Sequence, residues 1–267
     1  MINRIDKKFN ELKKQKKKAF IAFITAGDPS LSVTEKLVVA FERCGVDIVE
    51  LGVPFSDPLA DGPTIQAASE RALKKGVTLA KILQTVKRIR KKSQMPITLM
   101  TYYNPIFHRG EENFMVEAKK AGVDGMIVPD LPFEEAKNLV KAAKKHHIAT
   151  VFFISPTTSI SRMKTIVRAA SGFIYYVSLT GVTGARKDLP QDLTTKIRMA
   201  KRFSKKPICV GFGVSTPAQV KSISRYADGV IVGSAIVQAI YKNSFKRNLI
   251  SDVGRFVKRL TSQLEKK

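Results

Sequence analysis

Eight continuous apolar runs alternate with segments of helical periodicity along this chain of 267 residues. Apolar residues in unbroken succession are typical of strands that are buried on both faces. Strict alternation with helices predicts parallel strands joined by right-handed crossovers, and a (β/α)8 TIM barrel is the simplest α/β fold that closes eight such units. The runs lie near residues 19–25, 46–52, 96–101, 124–129, 149–154, 173–178, 207–211 and 228–232.

An amphipathic helix is predicted ahead of the first strand. Ile5, Phe9 and Leu12 recur at three- and four-residue spacing within residues 3–14, which favours a helix that covers one end of the barrel. A doubly wound open sheet is the structural alternative. Such a sheet normally carries phosphate-binding glycines after its first strand, and the sequence TAGDP at residues 25–29 lacks that pattern.

Length and composition predict a single domain spanning residues 1–267, because a chain of this size with 44% hydrophobic residues can bury one large core. The sequence has no run of eighteen apolar residues and no apolar segment after its lysine-rich start, so we expect a cytoplasmic protein without membrane association. Cys44 and Cys209 lie in apolar segments and predict reduced, buried thiols. The three histidines form no converging set, so no metal site is predicted.

The formal net charge of +25 raises the question of nucleic acid, because clustered Lys and Arg neutralise phosphates. Here the cations are spread along the helical segments in pairs such as Lys74-Lys75 and Lys144-Lys145, and no known nucleic-acid-binding motif accompanies them. This distribution is typical of solvated helix faces. We therefore predict no nucleic-acid partner.

Two carboxylates, Glu50 and Asp61, lie within the second apolar run and in the loop that follows it. Glu50 lies among residues that can bury it, which is costly for a carboxylate. Asp61 follows in a loop constrained by three prolines and Gly62. One interpretation is a hydrogen-bonded buried Glu50 and an Asp61 that caps the next helix. The other is a pair of reacting acids at one end of the strand, and the local sequence leaves both open.

Aromatic and acidic side chains also follow other predicted strands. In such barrels the reacting groups lie on the loops after the C-terminal ends of the strands, so these side chains meet at one mouth. A single aromatic residue is more typical of a core, but the location of all these side chains at the same end of the barrel favours a binding pocket. We expect at this mouth Phe23, Thr25, Glu50, Asp61, Tyr102, Tyr103, Asn104, Asp130 and Tyr175.

Three glycine-containing loops after the last three strands predict a phosphate site. Glycine lets backbone N–H groups approach an anion, and a helix starting after the eighth strand presents the positive end of its dipole. Barrels often bind phosphate at this place. No nucleophile elbow, P-loop or strand lysine is present, which favours acid-base chemistry on an organic phosphate. The loops contain Gly181 and Gly184, then Gly211, Phe212 and Gly213, then Gly233 and Ser234.

The segment from Glu50 to Gln66, ELGVPFSDPLADGPTIQ, resembles the signature of the tryptophan synthase α-subunit family. The resemblance covers nearly the whole chain and includes residues 19–29, 100–105, 129–132, 175–178, 181–184, 211–214 and 232–236.

This resemblance implies a lyase of tryptophan biosynthesis that cleaves indole-3-glycerol phosphate to indole and glyceraldehyde 3-phosphate by a retro-aldol reaction. It implies that Glu50 is the acid-base residue and that Asp61 accepts the indole N–H. Thr183 would hydrogen-bond Asp61 in a closed site. The substrate-binding residues would be Phe23, Ile65, Tyr102, Tyr175 and Phe212 around the indole, and Gly184, Gly211, Gly213, Gly233 and Ser234 near the phosphate.

The resemblance also implies a chain without a cofactor of its own, which passes indole to a β subunit containing pyridoxal phosphate in an α2β2 heterotetramer. Two alternatives remain open at this point. One is a non-catalytic partner that only binds and activates the β subunit, against which the intact Glu50 and Asp61 argue. The other is a different phosphosugar barrel enzyme of the same pathway, but such enzymes lack this loop after the second strand.

Overall fold

The computed structural model describes residues 3–177, 191–211 and 213–264. Eight parallel strands form a closed barrel in which each strand pairs with the next along the chain and β8 pairs with β1. The predicted (β/α)8 barrel is thereby confirmed, and the open sheet is excluded. The strands are β1 (Ala19–Thr25), β2 (Ile48–Gly52), β3 (Ile97–Met100), β4 (Gly125–Ile127), β5 (Ala149–Ile154), β6 (Ile174–Val177), β7 (Ile208–Gly211) and β8 (Gly229–Val232).

Helices surround the barrel, and the described residues contain twelve of them. They are α1 (Arg4–Lys14), α2 (Leu31–Arg43), α3 (Pro63–Lys74), α4 (Leu79–Arg90), α5 (Tyr103–Arg109), α6 (Glu111–Ala121), α7 (Lys137–Lys145), α8 (Ile160–Ala169), α9 (Gln191–Phe203), α10 (Pro217–Ser224), α11 (Ser234–Asn243) and α12 (Leu249–Thr261). None of them is both long and apolar enough to cross a membrane.

Helix α1 covers the N-terminal end of the barrel, as predicted. The Asn3 side chain accepts a hydrogen bond from the backbone N–H of Ile5 and so caps the helix. Ile5, Phe9 and Leu12 are buried against residues at the starts of the strands, and the rings of Phe9 and Phe173 lie 6.0 Å apart. This end of the barrel is therefore filled, which leaves the opposite end for a ligand.

Alternate residues of the strands face the interior and the helices, as the period of two in a strand requires. On β2, Val49 and Leu51 pack in the layer between strands and helices, whereas Ile48 packs inside the barrel. Glu50 is two residues beyond Ile48, so its side chain shares the inner face. Strand β2 therefore directs a buried carboxylate into the interior of the barrel.

Three aspartates tie neighbouring strands together at their starts. Each precedes an even-numbered strand, and its carboxylate accepts a hydrogen bond from the backbone N–H near the start of the odd-numbered strand before it. Such side-chain acceptors satisfy N–H groups that lie before the regular ladder begins. The pairs are Asp47 with Phe20 at 2.9 Å, Asp124 with Ile97 at 2.9 Å and Asp228 with Ile208 at 3.1 Å.

The two cysteines differ in exposure. Cys209 on β7 is buried, as the sequence predicted, whereas Cys44 is the C-cap residue of α2 and is only half-buried. The prediction of a buried thiol was therefore wrong for Cys44, because α2 ends at Arg43 and the last helical residue of its buried face is Phe41. Both thiols are free.

Candidate active site

A cavity of about 600 Å³ opens at the C-terminal ends of the strands. Its walls combine apolar side chains, two carboxylates and the N-terminus of α11. Eight residues predicted as site residues from the sequence line it: Phe23, Glu50, Asp61, Ile65, Tyr175, Gly213, Gly233 and Ser234.

Glu50 reaches this cavity from β2 and is otherwise fully buried, with 0% of the residue exposed. Neither of its carboxylate oxygens has a hydrogen-bond partner among the described residues. Burial, reinforced by the nearby Asp61 carboxylate, raises the pKa of Glu50 to about 8. The interpretation of Glu50 as a hydrogen-bonded structural acid is therefore wrong. The site holds a carboxyl group that is protonated near neutral pH and free to exchange its proton with a ligand.

Asp61 stands on the loop between β2 and α3, and it does not cap the helix. Gly62 occupies the N-cap position of α3 and no side chain bonds there, which overturns the capping interpretation. Instead, the Asp61 carboxylate accepts a hydrogen bond of 3.1 Å from the Tyr102 hydroxyl. Burial raises the pKa of Asp61, and this hydrogen bond opposes the rise. Asp61 thus faces the cavity as a second acid in a different environment.

Tyr102 lies behind Asp61 rather than on the wall of the cavity. Its hydroxyl accepts a hydrogen bond of 2.9 Å from the backbone N–H of Ala60 while donating to Asp61. Its ring stacks on Phe55 with centroids 5.0 Å apart. Tyr102 thereby fixes the loop between β2 and α3 to the start of α5, through contacts with Phe55, Ala60 and Asp61. The sequence predicted a pocket wall here, and the structure places a support for the carboxylate.

Gly211 also lies behind the cavity. A Cβ atom added to it would come within 2.6 Å of the Tyr175 hydroxyl oxygen, so the glycine gives that side chain its space. Burial, together with the nearby Glu50, raises the pKa of Tyr175 well above its ordinary value, which keeps the phenol neutral. Gly211 therefore contributes to the site through Tyr175 rather than by lining it.

The opposite wall of the cavity is built to receive an anion. Gly233 is the N-cap residue of α11 and carries no side chain that could occupy the free N–H groups of the first turn. Gly213, on the neighbouring loop, adopts a φ of 69°, which favours glycine. Ser234 begins the helix, so its hydroxyl group and the helix dipole face the same space.

Four residues predicted at the site, Gly181, Thr183, Gly184 and Phe212, lie outside the described residues. The predicted contact between Thr183 and Asp61 therefore stays a prediction, as do the roles of Gly184 and Phe212.

Asp130 does not line the cavity, although the sequence predicted it at the mouth. Its carboxylate accepts hydrogen bonds of 2.9 and 3.1 Å from the backbone N–H of Tyr103, at the start of α5. Asp130 thus acts as an acceptor for a helix N-terminus, the role that had been considered for Asp61.

Several wall residues were missed by the sequence analysis. Met100, Phe153 and Val177 end or nearly end β3, β5 and β6, and Ile231 lies on β8. The rule that found Phe23 and Tyr175 would also have found Phe153 and Val177, because all four lie near the C-terminal ends of strands. Within the described ranges, no three His, Cys, Asp or Glu side chains converge as a metal site would require.

Known proteins resemble this chain over almost its full length. The family model described as "Tryptophan synthase alpha chain" matches residues 9–265. The tryptophan synthase alpha chain of Thermoanaerobacter sp. (strain X514) is 46% identical over 263 residues, covering 98% of this chain and 100% of that protein. The protein of the same name from Geotalea daltonii is 51% identical over 245 residues, covering 92% and 93%.

Solved structures agree with the sequence relatives. The tryptophan synthase subunit alpha of Legionella pneumophila str. Paris superposes with a TM-score of 0.92 at 38% identity, over 99% of each chain. A chain from the tryptophan synthase a2b2 complex of Pyrococcus furiosus gives a TM-score of 0.86 at 42% identity, covering 92% of this chain and 99% of that chain.

Proposed function

The chain belongs to the tryptophan synthase alpha chain family, lyases that cleave indole-3-glycerol phosphate to indole, and we propose that Glu50 and Asp61 carry out this cleavage in the cavity at the mouth of the barrel. One observation carries the assignment: Glu50 is fully buried, lacks a hydrogen-bond partner among the described residues and faces the cavity beside Asp61.

The cavity fits the two ends of this substrate. Its apolar side chains, among them Phe23, Phe153 and Tyr175, suit an indole ring. Gly233 and Ser234 at the N-terminus of α11 suit a phosphate group, because free N–H groups and the helix dipole attract an anion. The scissile bond lies between ring and phosphate, so the substrate would span the cavity with that bond near Glu50.

The two carboxyl groups take different roles because their environments differ. Glu50, with its pKa raised to about 8, holds a proton at neutral pH and donates it to C3 of the indole ring. Asp61 acts as a carboxylate and accepts the indole N–H, which stabilises the positive charge that spreads onto the nitrogen. The Tyr102 hydroxyl holds Asp61 in place for this contact.

Cleavage returns the proton to Glu50. Once ionised, the Glu50 carboxylate takes the proton of the side-chain hydroxyl next to C3. The hydroxyl oxygen becomes the aldehyde oxygen of glyceraldehyde 3-phosphate as the carbon-carbon bond breaks. The electron pair of that bond restores the aromatic indole, which keeps the donated hydrogen at C3. The enzyme ends in the protonation state in which it began, so no other reagent is consumed.

A non-catalytic partner of the β subunit would have no use for this arrangement. Burying a carboxyl group without a hydrogen bond costs free energy, and an apolar residue at position 50 would remove that cost. Retention of Glu50, opposite Asp61, therefore favours catalysis over a purely regulatory role.

The partner is a tryptophan synthase β subunit, in an α2β2 assembly such as the one named for the Pyrococcus furiosus relative. Leu59 is 93% exposed on the loop that carries Asp61, and Phe107 is 68% exposed on α5. Both project near the mouth of the barrel, and exposed apolar groups are typical of interaction surfaces. Indole would leave toward the β subunit, which would supply pyridoxal phosphate, while this chain would need no cofactor.

The same proposal assigns residues 1–267 to one domain, since β8 closes the barrel onto β1 and α12 packs against α2. A cytoplasmic location belongs to it as well, because the free thiols of Cys44 and Cys209 suit a reducing compartment.

Incubation of the purified chain with indole-3-glycerol phosphate tests the function. Formation of indole and glyceraldehyde 3-phosphate in equal amounts, increased by a β subunit, is the expected result. A chain that produces no indole either alone or with its β subunit, yet increases the serine-dependent activity of that subunit, would be the non-catalytic partner instead.

A further inference from the structure

A surface groove of about 520 Å³ lies between α2 and α12, on the outside of the barrel. We call it the α2–α12 groove; its walls come from residues 40–44 on one side and residues 247–258 on the other. None of its residues lines the cavity that contains Glu50. The groove is thus a separate feature that the cleavage reaction does not use.

The charged side chains that line the groove are all positive. Arg43, Arg247, Arg255 and Lys258 line it, and none of the acidic residues that the structure describes does. Arg255 is paired with Asp252, but Arg43 and Arg247 form no hydrogen bond or ion pair among the described residues. Cationic side chains that line one groove repel one another, and a bound anion relieves that repulsion.

The floor of the groove is apolar. Ala40, Ile250 and Gly254 form it, and the half-buried Cys44 thiol lies beside them. Glycine inside a helix is less favourable than alanine. An alanine Cβ at position 254 would meet the Cys44 sulfur at 3.4 Å, an ordinary contact, so space alone does not require the glycine. Its effect is to leave the floor open.

We propose that the α2–α12 groove binds a small amphipathic anion, with a carboxylate or phosphate monoester head and an alkyl or aryl body. The head would lie between Arg43 and Arg247, whose planar guanidinium groups bind such oxygens through two parallel hydrogen bonds. The body would cover the apolar floor, which an inorganic ion alone would leave exposed to water. This site is independent of the catalytic proposal.

Octanoate is the probe, and octanamide is its neutral counterpart of the same length. Isothermal titration calorimetry with wild-type chain should show saturable binding of one octanoate per chain, about tenfold tighter than octanamide. Absence of saturable octanoate binding, or equal affinity for octanamide, overturns the proposal.

A charge-matched pair of double variants locates the site. Arg43→Gln with Arg247→Gln should weaken octanoate binding about tenfold. Arg198→Gln with Arg225→Gln removes two exposed arginines, one on α9 and one at the C-cap of α10, and should change the affinity by less than about twofold, since it alters only the long-range field. Indole formation reports that both variants are folded. An equal loss in both double variants would mean that octanoate responds to net charge, which contradicts a site in the groove.

Alkylation of Cys44 gives a local readout. The chain has two cysteines, and Cys209 is 0% exposed, so neutral iodoacetamide should modify Cys44 alone in the folded protein. Saturating octanoate should slow this modification severalfold in the wild type and not in the Arg43→Gln, Arg247→Gln variant. An unchanged rate in the wild type at saturation would place the anion elsewhere.

Discussion

The Tyr102 hydroxyl donates a hydrogen bond of 3.1 Å to the Asp61 carboxylate, joining residues that are 41 positions apart in sequence. The same hydroxyl accepts from the Ala60 backbone at 2.9 Å, so one side chain holds both the acid and the loop that bears it. Stacking on Phe55 fixes the ring itself. Asp61 is thereby positioned before a substrate arrives, which is the condition for efficient electrostatic stabilisation.

Tyr102→Phe removes this hydroxyl and keeps the ring. We expect kcat/KM for indole-3-glycerol phosphate to fall about tenfold, the effect of losing roughly one hydrogen bond to a charged group. Because that bond lowers the pKa of Asp61, the acid limb of the pH profile of kcat/KM should also move to higher pH. Tyr103→Phe is the matched control, since the Tyr103 hydroxyl bonds Glu111 outside the cavity. A rate loss without a shifted acid limb would leave Tyr102 with a merely structural role.

The protonated form of Glu50 begins the reaction, and this predicts an alkaline limit. Burial and the Asp61 carboxylate raise the Glu50 pKa to about 8, so kcat/KM should decline as pH rises through this value. Asp61 must be ionised, so a second decline should occur at acid pH, above the ordinary value of 3.8 because its pKa is raised. The measurement is kcat/KM from about pH 5 to 10. If kcat/KM instead rises with pH and stays level above pH 8, the ionised form of Glu50 starts the reaction as a base.

The same pKa has a consequence for stability. The unfolded chain loses the Glu50 proton near the ordinary glutamate pKa of 4.5, whereas the folded protein keeps it until its raised pKa of about 8. Between these values the native state binds the extra proton, so this group lowers the free energy of unfolding as pH rises, by roughly 3 kcal/mol at pH 7. Glu50→Gln should therefore be more stable than the wild type at pH 8, and about equally stable at pH 4.

Chemical denaturation at both pH values measures this difference. Glu134→Gln, which removes an exposed carboxylate paired with Arg162, serves as the control and should show no comparable gain at pH 8. If the stability of Glu50→Gln follows that of the wild type at every pH, the Glu50 pKa is not raised in the folded protein.

Gly233→Val tests the anion end of the cavity. Its Cβ would lie 3.4 Å from Phe23, an ordinary contact, so the fold should survive. The branched side chain would obstruct access to the first N–H groups of α11, so we expect KM for the phosphorylated substrate to rise about tenfold with a smaller change in kcat. The affinity for indole, which lacks the phosphate, should stay the same. Equal weakening of indole and substrate would indicate damage to the ring pocket instead.

The barrel could be predicted from the sequence because its strands are buried on both faces. Unbroken apolar runs mark such strands whatever surrounds them, and the predicted runs agree with β1 to β8 within a few residues. Helix α1 was equally clear, since Ile5, Phe9 and Leu12 follow the helical period.

The partners of polar side chains could not be predicted in the same way. Asp61 and Asp130 both follow a strand and both precede a helix, yet only Asp61 faces the cavity. Asp130 instead accepts a hydrogen bond from the backbone N–H of Tyr103, at the start of α5, which follows a different strand. Local sequence indicates that each acid needs a donor, and only the tertiary arrangement decides which one it finds. Its position after β3 placed Tyr102 at the correct end of the barrel. That position alone could not show that its hydroxyl bonds Asp61 instead of lining the cavity.

Single-turnover cleavage of indole-3-glycerol phosphate by the wild-type chain and by Glu50→Gln tests whether Glu50 is the acid-base group. Glutamine keeps the shape of glutamate but cannot exchange a proton, so we expect indole formation to fall about a hundredfold to ten-thousandfold while substrate affinity stays nearly unchanged. Retention of more than about a tenth of the wild-type rate by a folded Glu50→Gln protein would contradict this role, because an acid-base group contributes more than that.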